Sequence, residues 1–85
     1  MLTIDMCKVR YLIGDELMMN GEYGTLFQRE LEALADLFPP YLIRSEDGKV
    51  YLYCLFEPMP SVLGLLRLNF NHYGGYLFLI KEGLT

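Results

Sequence analysis

Tyr41-Leu42-Ile43-Arg44-Ser45-Glu46-Asp47-Gly48-Lys49-Val50-Tyr51-Leu52-Tyr53-Cys54-Leu55-Phe56 is the stretch that decides the fold. Two β-rich runs, 41–44 and 50–56, flank the polar turn 45–48, with glycine where a left-handed residue is needed. The pattern is that of a β-hairpin. Its second strand is apolar on both faces, with Val50, Leu52, Cys54 and Phe56 on one and Tyr51, Tyr53 and Leu55 on the other. Such a strand is central in its sheet, or else one face meets something outside the monomer. Pro58 and Pro60 end it.

Upstream, Thr25 and Gln28 have the spacing of a capping box, which predicts a helix start. Phe27, Leu31, Leu34 and Phe38 then fall on one apolar stripe, widened by Leu26 and Leu37, while Arg29, Glu32 and Asp36 face water. Pro39-Pro40 stops this helix, because proline lacks the N–H and clashes with the preceding turn. Residues 1–24 alternate in two phases: Leu2, Ile4 and Met6, then Cys7, Val9, Tyr11 and Ile13 on the opposite parity. That switch fits a strand with a bulge, or two short strands. Gly14-Asp15 and Asn20-Gly21 are turn signals, the second the stronger one for a tight hairpin.

Downstream, residues 61–70 support two readings. Ser61 would cap a helix bearing Val62, Leu63, Leu66 and Phe70 on one side, whereas Leu66, Leu68 and Phe70 alternate as in a strand. Asn71 to Gly75 is a turn, and Tyr76 to Lys81 a last strand, again apolar on both faces. The expectation is one small α+β domain over residues 1–85. A helix in the N-terminal half packs on a mostly antiparallel sheet, with a second short helix at 61–70 as one of its two readings.

Composition narrows the function classes. A chain of 85 residues that is 53% hydrophobic cannot hide all its apolar surface in its own small core. The longest stretch without a full charge, Leu68 to Ile80, holds Asn69, Asn71, His72, Gly74 and Gly75, so no membrane span is expected. Asp5, Lys8 and Arg10 interrupt any signal-peptide core, which places the protein in the cytoplasm. There, Cys7 and Cys54 read as small hydrophobes and not as a bridge. A net charge of −4 with scattered bases argues against nucleic acid as a partner.

Chemistry is sparse. His72 is the only histidine, and nothing near it in sequence supplies a metal-ligand set. A Cys54–His72 nucleophilic pair is the one catalytic constellation available, but the apolar neighbours of Cys54 raise a thiol pKa and blunt it. Asp15-Glu16 and Glu46-Asp47 fall at turns, where solvated charge explains them. No phosphate-cradling glycine loop joins a strand to a helix, so no cofactor and no enzymatic activity are expected. Seven tyrosines and five methionines instead suit an adaptable contact surface.

From Asp47 onward the chain resembles the class I type III secretion chaperones, the Tir-chaperone family. Leu52-Tyr53-Cys54-Leu55-Phe56-Glu57-Pro58-Met59-Pro60 looks like the family strand that ends in a proline-containing loop. Leu65-Leu66-Arg67-Leu68-Asn69-Phe70 looks like its interface-helix end, and Gly75 to Gly83 like the strand and turn that follow. The resemblance implies that 61–70 is a helix, that the protein is a homodimer, and that it holds a secreted effector without catalysis. It departs from the pattern in the 24 residues ahead of the first helix and in lacking the family's later strand and helix before Thr85.

The expected function is therefore a chaperone-like, protein-binding module. Partner contacts fall on Tyr51, Tyr53, Leu55, Tyr76, Phe78 and Ile80, and the dimer contact on Val62, Leu63, Leu66 and Phe70. The alternative is a small acidic inhibitor or immunity-type protein that blocks a nuclease or another enzyme by direct binding.

Overall fold

Asp47 and Gly48 both have positive φ, 51° and 78°, and close the hairpin as a two-residue turn whose twist matches its strands. In this computed structural model, which describes residues 1–72 and 77–84, the hairpin strands are β2 (Tyr41–Glu46) and β3 (Lys49–Cys54). The turn is tighter than the four residues read from sequence. β3 is central, as its two apolar faces require, in a sheet of order β2-β3-β1-β4 with every neighbour antiparallel.

The strand beside it is β1 (Val9–Asp15). Val9, Tyr11 and Ile13 reach the same core by the two-residue period of the strand, and a register shift after Leu12 leaves Ile13 as a bulge, so that Gly14 pairs with Val50. The phase switch seen earlier in the sequence has another cause. Ile4–Met6 form a short 3₁₀ turn, and Cys7 joins the opposite side of the sheet from Val9. Asp15 ends the strand and caps the four-residue α1 (Glu16–Met19), accepting a 2.8 Å hydrogen bond from the Met18 N–H on Oδ1.

Asn20-Gly21 makes no hairpin turn. It joins α1 to α2 (Glu22–Ala33), which begins one turn earlier than the capping-box reading and has Gly21 at its N-cap. Thr25 lies inside the helix, its N–H donating to the Gly21 carbonyl. The reason is packing. A Cβ on Gly24 would stand 1.6 Å from the Met19 carbonyl oxygen, so only glycine lets the first turn of α2 lie against the backbone of α1. The helix also ends before Phe38. Leu34 leaves helical geometry at φ −101°, ψ 10°, and a turn carries Leu34 and Phe38 into the core ahead of the two prolines.

Residues 61–70 are helical. Pro60 opens α3 (Pro60–His72) at the first helical position, where its missing N–H costs nothing, and Ser61 is not the cap. β4 (Ile80–Gly83) starts later than the strand read from Tyr76; residues 73–76 lie outside the described residues.

One face of the sheet presents Val9, Tyr11, Ile13, Val50, Leu52 and Cys54 to Phe27 and Leu31 of α2 and to Val62, Leu66 and Phe70 of α3. Phe27, Phe70, Ile13, Leu31, Leu52 and Leu66 are fully enclosed. Each such side chain contributes about 1.5–3 kcal/mol by leaving water. Phe70 holds the two helices together, meeting Phe27 edge-on at 6.1 Å.

Candidate functional site

The open face of the sheet, where sequence reasoning places the partner, is partly covered by the chain itself. Tyr51 and Tyr53 are buried, with Leu2, Leu12, Leu42 and Leu84 packed around them. The guanidinium of Arg10 lies 4.0 Å above the Tyr51 ring. Its Nη1 donates to Glu46 at 2.9 Å and to the Tyr53 hydroxyl at 3.0 Å, while Nε and Nη2 reach one oxygen of Glu82 at 3.0 and 2.8 Å. The Tyr53 hydroxyl donates in turn to Glu46. One cation on β1 thus joins the far end of the hairpin to β4.

The electrostatics follow this geometry. The hydrogen bond from Tyr53, and then the Arg10 charge, hold the Glu46 carboxyl below its ordinary range. Burial, followed by the Glu46 contact, pushes the Tyr53 hydroxyl up. Arg10 is held charged more firmly than usual, chiefly by its Tyr53 contact.

The remaining expected contacts are dispersed. Leu55 is half-buried beyond the end of β3, and Phe78 and Ile80 are exposed near β4. Tyr76 lies outside the described residues. The dimer set is corrected by burial. Val62, Leu66 and Phe70 point into this chain's own core and offer no free face, while Leu63 packs against that core partly buried. The outward side of α3 carries Leu65 and Leu68, at 44% and 65% exposure. Cys54 is fully enclosed, and burial, with Cys7 nearby, pushes its thiol up to about 12, so it supplies no thiolate. His72 sits exposed in the last turn of α3. Among the described residues no three His, Cys, Asp or Glu side chains are grouped to hold a metal ion. No helix among them is long and apolar enough to cross a membrane.

The site that does emerge is the outer edge of the hairpin. β2 is an edge strand of six residues. The two-residue turn makes Glu46 and Lys49 a hydrogen-bonded pair, so the β2 groups that face β3 belong to the even positions 42, 44 and 46. The Leu55 N–H donating to the Pro40 carbonyl at 3.1 Å keeps the same phase. The backbone N–H and C=O of Tyr41, Ile43 and Ser45 therefore point away from the sheet.

Beside this edge, between β2 and the start of α2, lies a cleft of about 350 Å³. Met19, Ile43 and Val50 give it an apolar floor; Asn20, Gly21, Gly24, Thr25, Gln28 and Ser45 line the rest, and none carries a charge. The bare Gly21 and Gly24 open its helix wall. Sequence reasoning reads Thr25 and Gln28 as a capping pair and Gly21 as part of a hairpin turn, and gives Gly24 no role.

No family model, curated protein or solved structure matches this chain. The secretion-chaperone resemblance therefore rests on the residues quoted for it. The element order also differs from the one it implies, since β1 precedes the first helix and occupies the middle of the sheet.

Proposed function

We propose that the protein is a binding module that holds an extended segment of another protein by adding it as a strand to β2. The observation that carries this reading is the pairing of a six-residue edge strand, without a second strand neighbour among the described residues, with an uncharged cleft beside it. Main-chain hydrogen bonds from Tyr41, Ile43 and Ser45 would supply affinity, and the cleft would take one side chain of the guest. No covalent step and no cofactor enters. The narrower form, in which the guest is a secreted effector and the module a chaperone, is supported by the family resemblance alone. A homodimer through α3 would use Leu65 and Leu68, the apolar residues that α3 leaves outside the core.

Ile43→Pro tests the strand addition. The lost N–H points away from β3, so the hairpin ladder keeps its bonds; the fold persists with a loss of about 1–2 kcal/mol from trimmed packing and restricted φ. Native lysate is passed over immobilised wild type and variant, and retained proteins are identified by mass spectrometry. A protein held by the wild type and released by the variant is the expected result. An identical set on both columns, or an empty one, sinks the proposal.

A further inference from the structure

The guanidinium of Arg44 does something specific at the β2 edge: its Nη1 donates at 2.9 Å to the carbonyl of Ile43, one of the outward-pointing groups. No carboxylate pairs with Arg44 among the described residues. The side chain thus occupies an edge position that an incoming strand needs, and an unneutralised charge sits there. A guest strand displaces this hydrogen bond. Unless it offers an acceptor of its own, the exchange is a loss.

Resting on the strand-addition reading above, we infer that the segment held by β2 is acidic at one defined position. Its core is an acidic residue, an uncharged residue and an aliphatic residue, in that order from N to C. The register dictates the order. An antiparallel guest, the more stable ladder per residue, first meets Arg44, then Ile43, then Leu42. The residue opposite Arg44 lies on the open face of the sheet, where its carboxylate takes the guanidinium released from Ile43. The residue opposite Ile43 turns to the helix side and enters the cleft, whose lining has no charge to compensate one brought in. The residue opposite Leu42 returns to the open face, beside the apolar cluster of Leu42 and Tyr53. Arg44 is thereby both guard and selector: it satisfies the empty edge and favours guests that bring a carboxylate.

The test uses fluorescein-labelled heptapeptides, each centred on Asp-Thr-Leu, Lys-Thr-Leu or Asp-Lys-Leu, titrated by fluorescence anisotropy against wild type, Arg44→Glu and Ile43→Pro. The Asp-Thr-Leu peptide is expected to bind the wild type about threefold to tenfold tighter than Lys-Thr-Leu, in proportion to one exposed cross-strand charge pair. Arg44→Glu, at an exposed position outside the core, reverses that preference. Asp-Lys-Leu binds weakest. Equal binding of the first two peptides, or a preference unmoved by Arg44→Glu, overturns the acidic-position inference. In that case binding that Ile43→Pro abolishes leaves strand addition standing. If no peptide binds, or light scattering shows a dimer that Ile43→Pro dissociates, strand addition of a foreign segment fails as well.

Discussion

Arg10 shows how a single residue changes the meaning of a surface. Tyr51 and Tyr53 are apolar bulk on a second sheet face, which in a sequence reads as surplus awaiting a partner. In the sequence Arg10 is one of several scattered bases, because nothing in its neighbours along the chain announces Glu46 and Glu82 as its anchors, 36 and 72 positions away. Arg10→Ala is expected to lower stability by about 1–2 kcal/mol, read as a fall in the thermal unfolding midpoint. The effect has a pH signature. Glu46 is held below its unfolded value, so its contribution is present above that value and disappears as pH falls through the depressed folded one. Acid unfolding of the wild type should show this loss, and the Arg10→Ala variant should show less of it. Tyr11 is the opposite case: its hydroxyl is buried with no hydrogen-bond partner among the described residues. Tyr11→Phe removes that unsatisfied group and should raise stability by about 1 kcal/mol, checked by denaturant titration.

At the scale of elements, what was legible followed periodicity, and what was not followed contact. The hairpin is legible because its two strands and its Asp-Gly turn are adjacent in sequence and their signals agree, although its second strand stops at Cys54 and not at Phe56. The apolar stripe of Phe27, Leu31, Leu34 and Phe38 was also right about burial, although the last two residues reach the core from a turn and not from the helix. Helix boundaries were missed for a tertiary reason. The approach of α2 to α1 through Gly24 decides where the helix begins, and no local pattern around Thr25 encodes it. Gly24→Ala would have to push the Met19 backbone aside, so a loss of about 3 kcal/mol is expected, seen as a lowered melting temperature. The cleft shares that wall, and its shape was illegible for the same cause. For 61–70 the two periodicities fit equally well; the burial of Val62, Leu66 and Phe70 against both α2 and the sheet is what selects the helix.

For the whole molecule, the α+β class and the central place of β3 were readable, because an apolar strand with a tight hairpin leaves few alternatives. The reading of Tyr51 and Tyr53 as surface offered to a partner overstates the apolar surplus, because both are buried within the chain. Composition counts apolar residues but not the segments that cover them, here Leu2 near one end and Leu84 near the other. The exposed apolar side chains that remain, Leu17, Leu37, Met59 and Leu68 among them, are spread over α1, the loops and α3. The guard on β2 has a consequence for how the protein behaves as a solute. A bare edge reading Tyr41-Leu42-Ile43 is a template on which identical molecules stack, and a fixed positive charge at that edge makes two such templates repel. Arg44→Ala should therefore leave the melting temperature nearly unchanged while turning concentrated solutions turbid and thioflavin-positive. The wild type at the same concentration should stay clear, its shelf life set by one guanidinium and not by the depth of its core.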